Sequence, residues 1–290
     1  MKGTLHAEER PRVAVLQIPG MNCERETRAT LLRAGLDAAI VRWNRPAPEL
    51  LDFAAYVLPG GFSYEDRVRA GAIAAKTPAV DVVARAAEAG KPVLGLCNGA
   101  QILVEAGLVP GDHPGRVTMA LARNGAAWRG YRCDWVAVKV VKDGRETPFT
   151  SRFEDGEIVP VPMAHAEGRF TARDPERFRE WAARGQVPLR YVGPDGEEDP
   201  PFPFNPNGSL LGAAGVTNPA GNVLAFMPHP ERGAYLRQVP EGIRGEWGDR
   251  RREAGRRRDL LDGPGPGFKL FQSLADYLRW HAEPQAGEAS

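Results

Sequence analysis

The 290-residue chain carries 38 basic and 37 acidic side chains, a formal net charge of +1, with 42% hydrophobic and 26% charged residues. That balance excludes a global field pulling the chain to nucleic acid or a charged membrane surface. No uninterrupted apolar stretch is long enough to span a bilayer, and the length suits one large α/β domain or two small ones.

The first residues, Met1 to Arg12, are polar and charged and lack the apolar core of a secretory signal. The three cysteines, Cys23, Cys97 and Cys133, are widely spaced and odd in number, which suits free thiols in a reducing cytoplasm. No Cys-x-x-Cys pair or paired-histidine spacing signals a metal site.

Val13 to Ile18 is a continuous apolar run of strand length, broken by Pro19-Gly20. Asn22 is placed to cap a helix running to about Arg33, which Gly35 ends. Ala38–Trp43 and Ala54–Leu58 read as further strands, and Ala79–Ala89 as a helix ended by Gly90. Lys91–Leu96 is then a fourth strand. Strands apolar on both faces and alternating with helices indicate a parallel sheet covered on two sides. Ligands on such sheets bind at the carboxyl ends of the strands.

Two segments occupy such ends. Pro59-Gly60-Gly61-Phe62-Ser63 follows the third strand, where adjacent glycines let backbone N–H groups approach a ligand closely. Gly95-Leu96-Cys97-Asn98-Gly99 follows the fourth and is the cysteine form of the nucleophile elbow. A strand-to-helix turn there lifts the Cys97 thiol over a helix N-terminus, which favours a thiolate. The Asn98 N–H is turned toward any oxygen that gains charge during attack, with the Gly61 N–H as the natural second donor. Taken alone, Gly-x-Cys-x-Gly also describes a buried cysteine at a tight turn.

Beyond Gly107 the pattern changes. Arg116–Leu121, Tyr131–Val141 and Glu157–Ala164 read as longer, partly alternating strands that extend the sheet in antiparallel or mixed fashion. Ser209–Val216 and Asn222–Met227 read as a hairpin leading into Met227-Pro228-His229-Pro230-Glu231-Arg232. Residues 233–267 are rich in Gly, Pro, Arg and acids, with seven arginines against six acids between Glu241 and Asp262. They read as a solvated insertion, with a partner-docking surface as the alternative. Phe268–Trp280 reads as an amphipathic helix with Phe271, Leu274 and Leu278 on one face, packing back on the domain. A flexible tail, 282–290, follows.

A nucleophilic cysteine needs a base, and the base needs an orienting group. His229-Pro230-Glu231 offers both on a segment that the flanking prolines keep non-helical. His165, in Ala164-His165-Ala166-Glu167-Gly168-Arg169-Phe170, carries a competing His-x-Glu pair, so the residues alone favour His229 only modestly.

These segments, with Pro19-Gly20-Met21-Asn22-Cys23, the run from Gly60 to Ala74 and Asn205-Pro206-Asn207-Gly208-Ser209, resemble the class I (triad) glutamine amidotransferases. Within them they are most similar to the small glutaminase-subunit family of phosphoribosylformylglycinamidine synthase. The resemblance covers about residues 12–232 as an amidotransferase domain. It implies a three-layer, flavodoxin-like α/β fold, with an open, mostly parallel sheet and an antiparallel extension. Cys97 is implied as nucleophile, His229 as base and Glu231 as its orienter, with Gly61 and Asn98 N–H groups in the oxyanion hole. Gly60 and Gln101 are implied beside bound L-glutamine. His165, Glu167 and Arg169 are implied in a family-specific loop or interface rather than in the triad. Ala100, Glu65, Arg67 and Ala166 depart from the usual pattern, and the departures leave the triad intact.

The implied reaction is glutamine amide hydrolysis through a γ-glutamyl thioester. The ammonia passes to a large synthetase subunit that works with a small accessory subunit. ATP and Mg are expected on that synthetase, with no cofactor in this chain, and no phosphate-binding Gly-x-x-x-x-Gly-Lys-Ser/Thr loop occurs here. Two other readings remain open on the residues alone: a stand-alone cysteine hydrolase or peptidase, and a non-catalytic binding protein of the same fold.

Overall fold

The computed structural model describes residues 10–113, 115–125 and 130–282. Alternation of βα units over the first hundred residues builds β1 (Arg12–Gln17), α1 (Glu24–Arg33), β2 (Asp37–Arg42), α2 (Ala47–Leu51), β3 (Ala55–Leu58), α3 (Pro78–Glu88), β4 (Val93–Leu96) and α4 (Asn98–Glu105). There follow β5 (Met119–Ala122), β6 (Arg132–Val140), β7 (Ile158–His165), β8 (Arg169–Ala172), α5 (Pro175–Ala183) and β9 (Leu189–Tyr191). The chain closes with β10 (Ala213–Thr217), β11 (Val223–Phe226), α6 (Glu246–Ala254), α7 (Arg258–Leu261) and α8 (Phe268–Ala282).

Nine strands form one sheet in the order β2-β1-β3-β4-β11-β10-β9-β6-β7. The pairs from β2 through to β11 are parallel, and those from β11 through to β7 are antiparallel. Each parallel strand sends alternate residues to opposite faces, as a pleat requires. Ala14, Leu16, Tyr56 and Leu58 meet α2, α3 and α4 on one face. Val13, Val15, Ala55 and Val57 meet α1 and α8 on the other. Both faces are dry, which is why these strands read as unbroken apolar runs rather than alternating ones.

The mostly parallel sheet, its two helical layers and its antiparallel extension match the expected fold. Three local expectations are corrected, and one unit is additional to them. The strand read at Arg116–Leu121 is the shorter β5, which pairs antiparallel with β8 in a separate two-stranded sheet rather than extending the main one. The unit β8–α5–β9 had no strong periodic signal, because its strands hold only four and three residues. Asn22 does not cap α1: the N-cap position is Cys23, and the Asn22 side-chain oxygen accepts from the Cys23 thiol instead, at 3.2 Å. His165 is the last residue of β7 rather than part of a loop, while Glu167 lies in the turn to β8. Of the expected tail, Ala282 ends α8 and residues 283–290 lie outside the described ones.

Residues 233–267 are not simply solvated. They fold as a short 3₁₀ turn, α6 and α7 around a small cluster of Leu236, Val239 and Ala254, against which Trp135, Ile243, Trp247 and Leu261 pack. Many of the segment's charges pair locally, as in Arg251–Glu241, Arg252–Asp249 and Arg257–Asp259. Such exposed pairs contribute about 0–1 kcal/mol each. The anchor comes from α1. The Arg33 guanidinium lies 4.2 Å from the Tyr235 ring centre and 4.4 Å from that of Phe268, and donates to the Ala234 and Asp262 carbonyls at 2.8 Å each.

Helix α8 then completes the face begun by α1, with Phe271, Leu274 and Ala275 fully buried. Phe271→Ala is expected to destabilise the protein by about 3–5 kcal/mol, the range for truncating a buried phenylalanine; urea unfolding followed by circular dichroism checks this.

Candidate active site

Four adjacent parallel strands, β1, β3, β4 and β11, deliver four loops to one edge of the sheet. The register pairs Phe226 at the end of β11 with Leu96 at the end of β4. Cys97 and His229 therefore leave the sheet side by side, although they stand 132 positions apart in the chain, 229 minus 97.

Cys97 sits at φ 50°, ψ −105°, a conformation that costs a non-glycine residue about 1–3 kcal/mol. The surrounding structure holds it there. Its N–H donates to the Phe226 carbonyl at 2.9 Å, and α4 begins at the next residue. The elbow closes only because Gly99 has no side chain: a Cβ there would be driven into the Leu58 carbonyl. Asn98 heads α4, so its N–H is one of the first-turn donors without an intrahelical partner.

His229 is held by its backbone N–H, which donates to Pro162 O at 2.7 Å. Its Nδ1 lies 2.6 Å from Glu231 Oε1, and both side chains are buried. Burial works against a charged imidazole, but the Glu231 carboxylate and Cys97 outweigh it, so the His229 pKa lies well above its ordinary value. The Cys97 Sγ points at the Ala164 carbonyl, 3.5 Å away. The imidazole is near enough for Cys97 to raise its pKa.

The glycine loop is tied to both neighbours. Asn22 and Cys23 N–H groups donate to Gly60 O at 3.2 Å, and the Phe62 N–H donates to Gly20 O at 2.9 Å. This ladder leaves the Gly61 N–H out of its bonds. Gly60 lies against the imidazole, where a Cβ would come within 2.6 Å of His229 Cε1 and 3.0 Å of Cys23 Sγ. Asn98 staples the loop to α4. Its Oδ1 accepts from Ser63 N at 3.0 Å, and its Nδ2 donates to Gln101 Oε1 at 2.8 Å and Asp66 Oδ1 at 3.3 Å. Gln101 in turn donates to Glu167 O at 2.6 Å. Tyr64, Glu65, Asp66 and Val68 all have positive φ, so this loop stores strain that the staples restrain.

The competing histidine is elsewhere. His165 is buried with Nδ1 3.1 Å from Asn124 Oδ1, and burial, with His229 and Arg132 adding to it, lowers its pKa to about 3. It is a neutral core residue at neutral pH. The Glu167 carboxylate accepts from the Ala70 N–H at 3.2 Å, and Arg169 donates to Arg123 O at 3.1 Å. The departing residues do not disturb the edge: Glu65 and Arg67 pair with each other at the surface, and Ala100 packs in the core.

Sequence reading missed two features. Cys23 turns its sulfur toward His229 and accepts from Arg232 Nη2 at 3.0 Å, while Arg232 also pairs with Glu26 at 3.1 Å. The signal was available, since Pro19-Gly20 follows β1 at the same sheet edge. The other is Asp66, whose pKa is pushed up to about 6 by burial and by the neighbouring Glu167 charge.

A cysteine strained at the head of a helix, beside a buried His–Glu pair and backed by a glycine loop, is the arrangement of a cysteine-dependent acyl-transfer enzyme. The chain belongs to the CobB/CobQ-like glutamine amidotransferase family, whose domain model matches residues 10–278. It is 42% identical to phosphoribosylformylglycinamidine synthase subunit PurQ of Methanothrix thermoacetophila, over 92% of this chain and 98% of that protein. It is also 42% identical to the PurQ subunit of Pyrococcus horikoshii, over 92% of this chain and 99% of that one. Among solved structures, PurLQS from Thermotoga maritima contains a chain that superposes with a TM-score of 0.68 at 34% identity, covering 93% of this chain and all of that one. A GMP synthase-like protein from Thermoplasma acidophilum, at 14% identity and TM-score 0.52 over 94% of this chain and 96% of that one, shares the fold.

Two outcomes test this geometry. Gly60→Ala should keep the fold yet lower glutamine hydrolysis by about 100-fold, because a base displaced by an ångström loses its alignment; circular dichroism and an ammonia assay check it. Asp66 binds its proton more tightly when folded than when unfolded, so its contribution to stability falls as pH rises from about 4 to 6. Asp66→Asn should therefore be more stable than wild type by about 1 kcal/mol at pH 8, a figure reduced for partial exposure, with the difference vanishing near pH 4. Urea midpoints at the two pH values measure it.

Proposed function

We propose that this chain is the glutaminase subunit of a phosphoribosylformylglycinamidine synthase. In this reading Cys97 is the nucleophile, His229 the base and Glu231 its orienter. The observation that carries the assignment of roles is the delivery of a buried His229–Glu231 pair, by a strand paired in parallel with β4, to a cysteine held at positive φ.

Cys97 gives its proton to His229 and attacks the side-chain amide carbon of L-glutamine. The oxyanion is received by the N–H groups of Gly61 and Asn98, each such donor being worth about 3 kcal/mol in the transition state. Glu231 holds the imidazolium as it forms. His229 then protonates the departing ammonia, and water cleaves the thioester to glutamate. Gly60 and Gln101 border the glutamine site, Gly60 through its contact with the imidazole and Gln101 through its bonds to Asn98 and Glu167.

The ammonia is used by a separate large synthetase subunit, with help from a small accessory subunit. Its ATP-dependent reaction converts formylglycinamide ribonucleotide to the amidine in purine synthesis. ATP and Mg belong to that partner. The amidotransferase unit spans 12–232, with 233–267 an insertion and α8 its closing helix. No helix among the described residues is long and apolar enough to cross a membrane, and the widely spaced thiols fit a cytoplasmic setting.

Ammonia release from glutamine, measured on the chain alone and with its synthetase and accessory partners, tests the assignment. Cys97→Ala is expected to lower kcat by at least about 1,000-fold with the fold intact, as loss of a nucleophile does in hydrolases. Activity unchanged in that variant would remove Cys97 from the mechanism.

A further inference from the structure

The imidazole of His229 faces two sulfurs, and the proposed mechanism uses only one. The Cys23 Sγ, a His229 ring nitrogen and a Glu231 carboxylate oxygen lie within 4.8 Å of one another, and all three residues are buried. The Nδ1 edge of the ring faces this group. Nδ1 is 2.6 Å from Glu231 Oε1. The ring and the sulfur close in on Gly60, where a Cβ would meet His229 Cε1, Cys23 Sγ and His229 Nδ1 at 2.6, 3.0 and 3.3 Å. A second, independent feature points to a missing cation: Glu231 Oε2 is buried with no hydrogen-bond partner among the described residues. A buried carboxylate oxygen without a donor is costly and calls for an explanation.

We propose that Cys23, His229 and Glu231 form an inhibitory binding site for a zinc-like divalent cation. Thiolate, imidazole and carboxylate are the donor types that zinc takes, at bond lengths near 2.0–2.3 Å. Tetrahedral coordination at those lengths needs donors about 3.3–3.8 Å apart. The trio's donors lie within 4.8 Å of one another, with the His–Glu contact at 2.6 Å, so side-chain shifts suffice to reach this spacing.

The charges balance. Binding releases one proton from Cys23 Sγ and moves the single proton of the neutral imidazole from Nδ1 to Nε2, and the thiolate and the Glu231 carboxylate together neutralise the cation. Arg232, beside Cys23, is already paired with Glu26. With the metal on Nδ1, the ring's one proton sits on Nε2. The imidazole then has no lone pair to accept the Cys97 proton, and Glu231 no longer orients the ring. The site is therefore a reversible block on the base. Its occupancy does not rest on the glutaminase reading; only the inhibition does.

The test uses the full chain in a phosphine reductant, titrated with zinc chloride and analysed by equilibrium dialysis with metal quantification. Cys97→Ala, which removes the other nearby thiolate, should still bind one zinc per chain. Adding Cys23→Ser should weaken that binding at least tenfold, and cobalt(II) on Cys97→Ala should give a thiolate charge-transfer absorption that the double variant lacks. In the wild-type chain with its synthetase, zinc should suppress glutamine-dependent ammonia release at least tenfold, and a chelator should restore it. Zinc binding lost in Cys97→Ala, or equal binding with and without Cys23, overturns the proposal. Should the double variant fail to fold by circular dichroism, the cobalt spectrum of Cys97→Ala decides alone: absence of the thiolate band overturns the site.

Discussion

The parallel pairing of β4 with β11 is the constraint from which the rest of this molecule follows. β11 enters the sheet by a hairpin with β10, and that hairpin reverses the chain so that β11 runs alongside β4. Both strands then end at one edge, in register at Leu96 and Phe226. The sharp turn after Leu96 presents a thiol, and the proline-flanked segment after Phe226 presents an imidazole. Neither strand is long, so it is burial on both faces, not length, that holds the register: a slip by one residue would exchange the apolar sets of two dry layers.

Around that pair the loops after β1 and β3 are cross-braced. Gly60 O takes two N–H groups from the β1 loop, Asn98 clasps Ser63 and Asp66, and Gln101 reaches Glu167 beyond β7. The left-handed residues from Tyr64 to Val68 persist because these bonds restrain them. The same framework explains why the glycines are required. Gly60 and Gly99 are places where a ring and a carbonyl, respectively, occupy the volume of a side chain.

The segment 233–267 has its own physical logic. Several of its arginines pair with acids of the same segment, in keeping with its mixed rather than basic charge. Its two ends are held together by Gly265 N–H to Ala234 O and Gly267 N–H to Gly233 O, both at 2.9 Å. Arg33 grips the base of this loop between Tyr235 and Phe268. The contact joins the chain immediately after Glu231 to the start of α8, so the closing helix and the site segment are braced by one residue of α1.

Much of the fold is legible in the sequence. Val13–Ile18 and the run before Cys97 declared buried parallel strands, because strands dry on both faces have no polar positions. Gly-x-Cys-x-Gly and Pro-His-Pro-Glu offered candidates for chemistry, because a cysteine at a sharp turn and a stiffened histidine leave short, local signatures. The short strands β8 and β9 were not legible, since three or four residues carry no period. The partner of Arg116–Leu121 was not legible either, because pairing is a long-range choice. The sequence by itself determined which side chains could do chemistry and the alternation that builds the parallel half of the sheet. Only the tertiary structure decided which histidine meets Cys97, and that Cys23 shares the same imidazole. Those contacts depend on strand order, and strand order is set by which apolar faces can be buried together across the whole sheet.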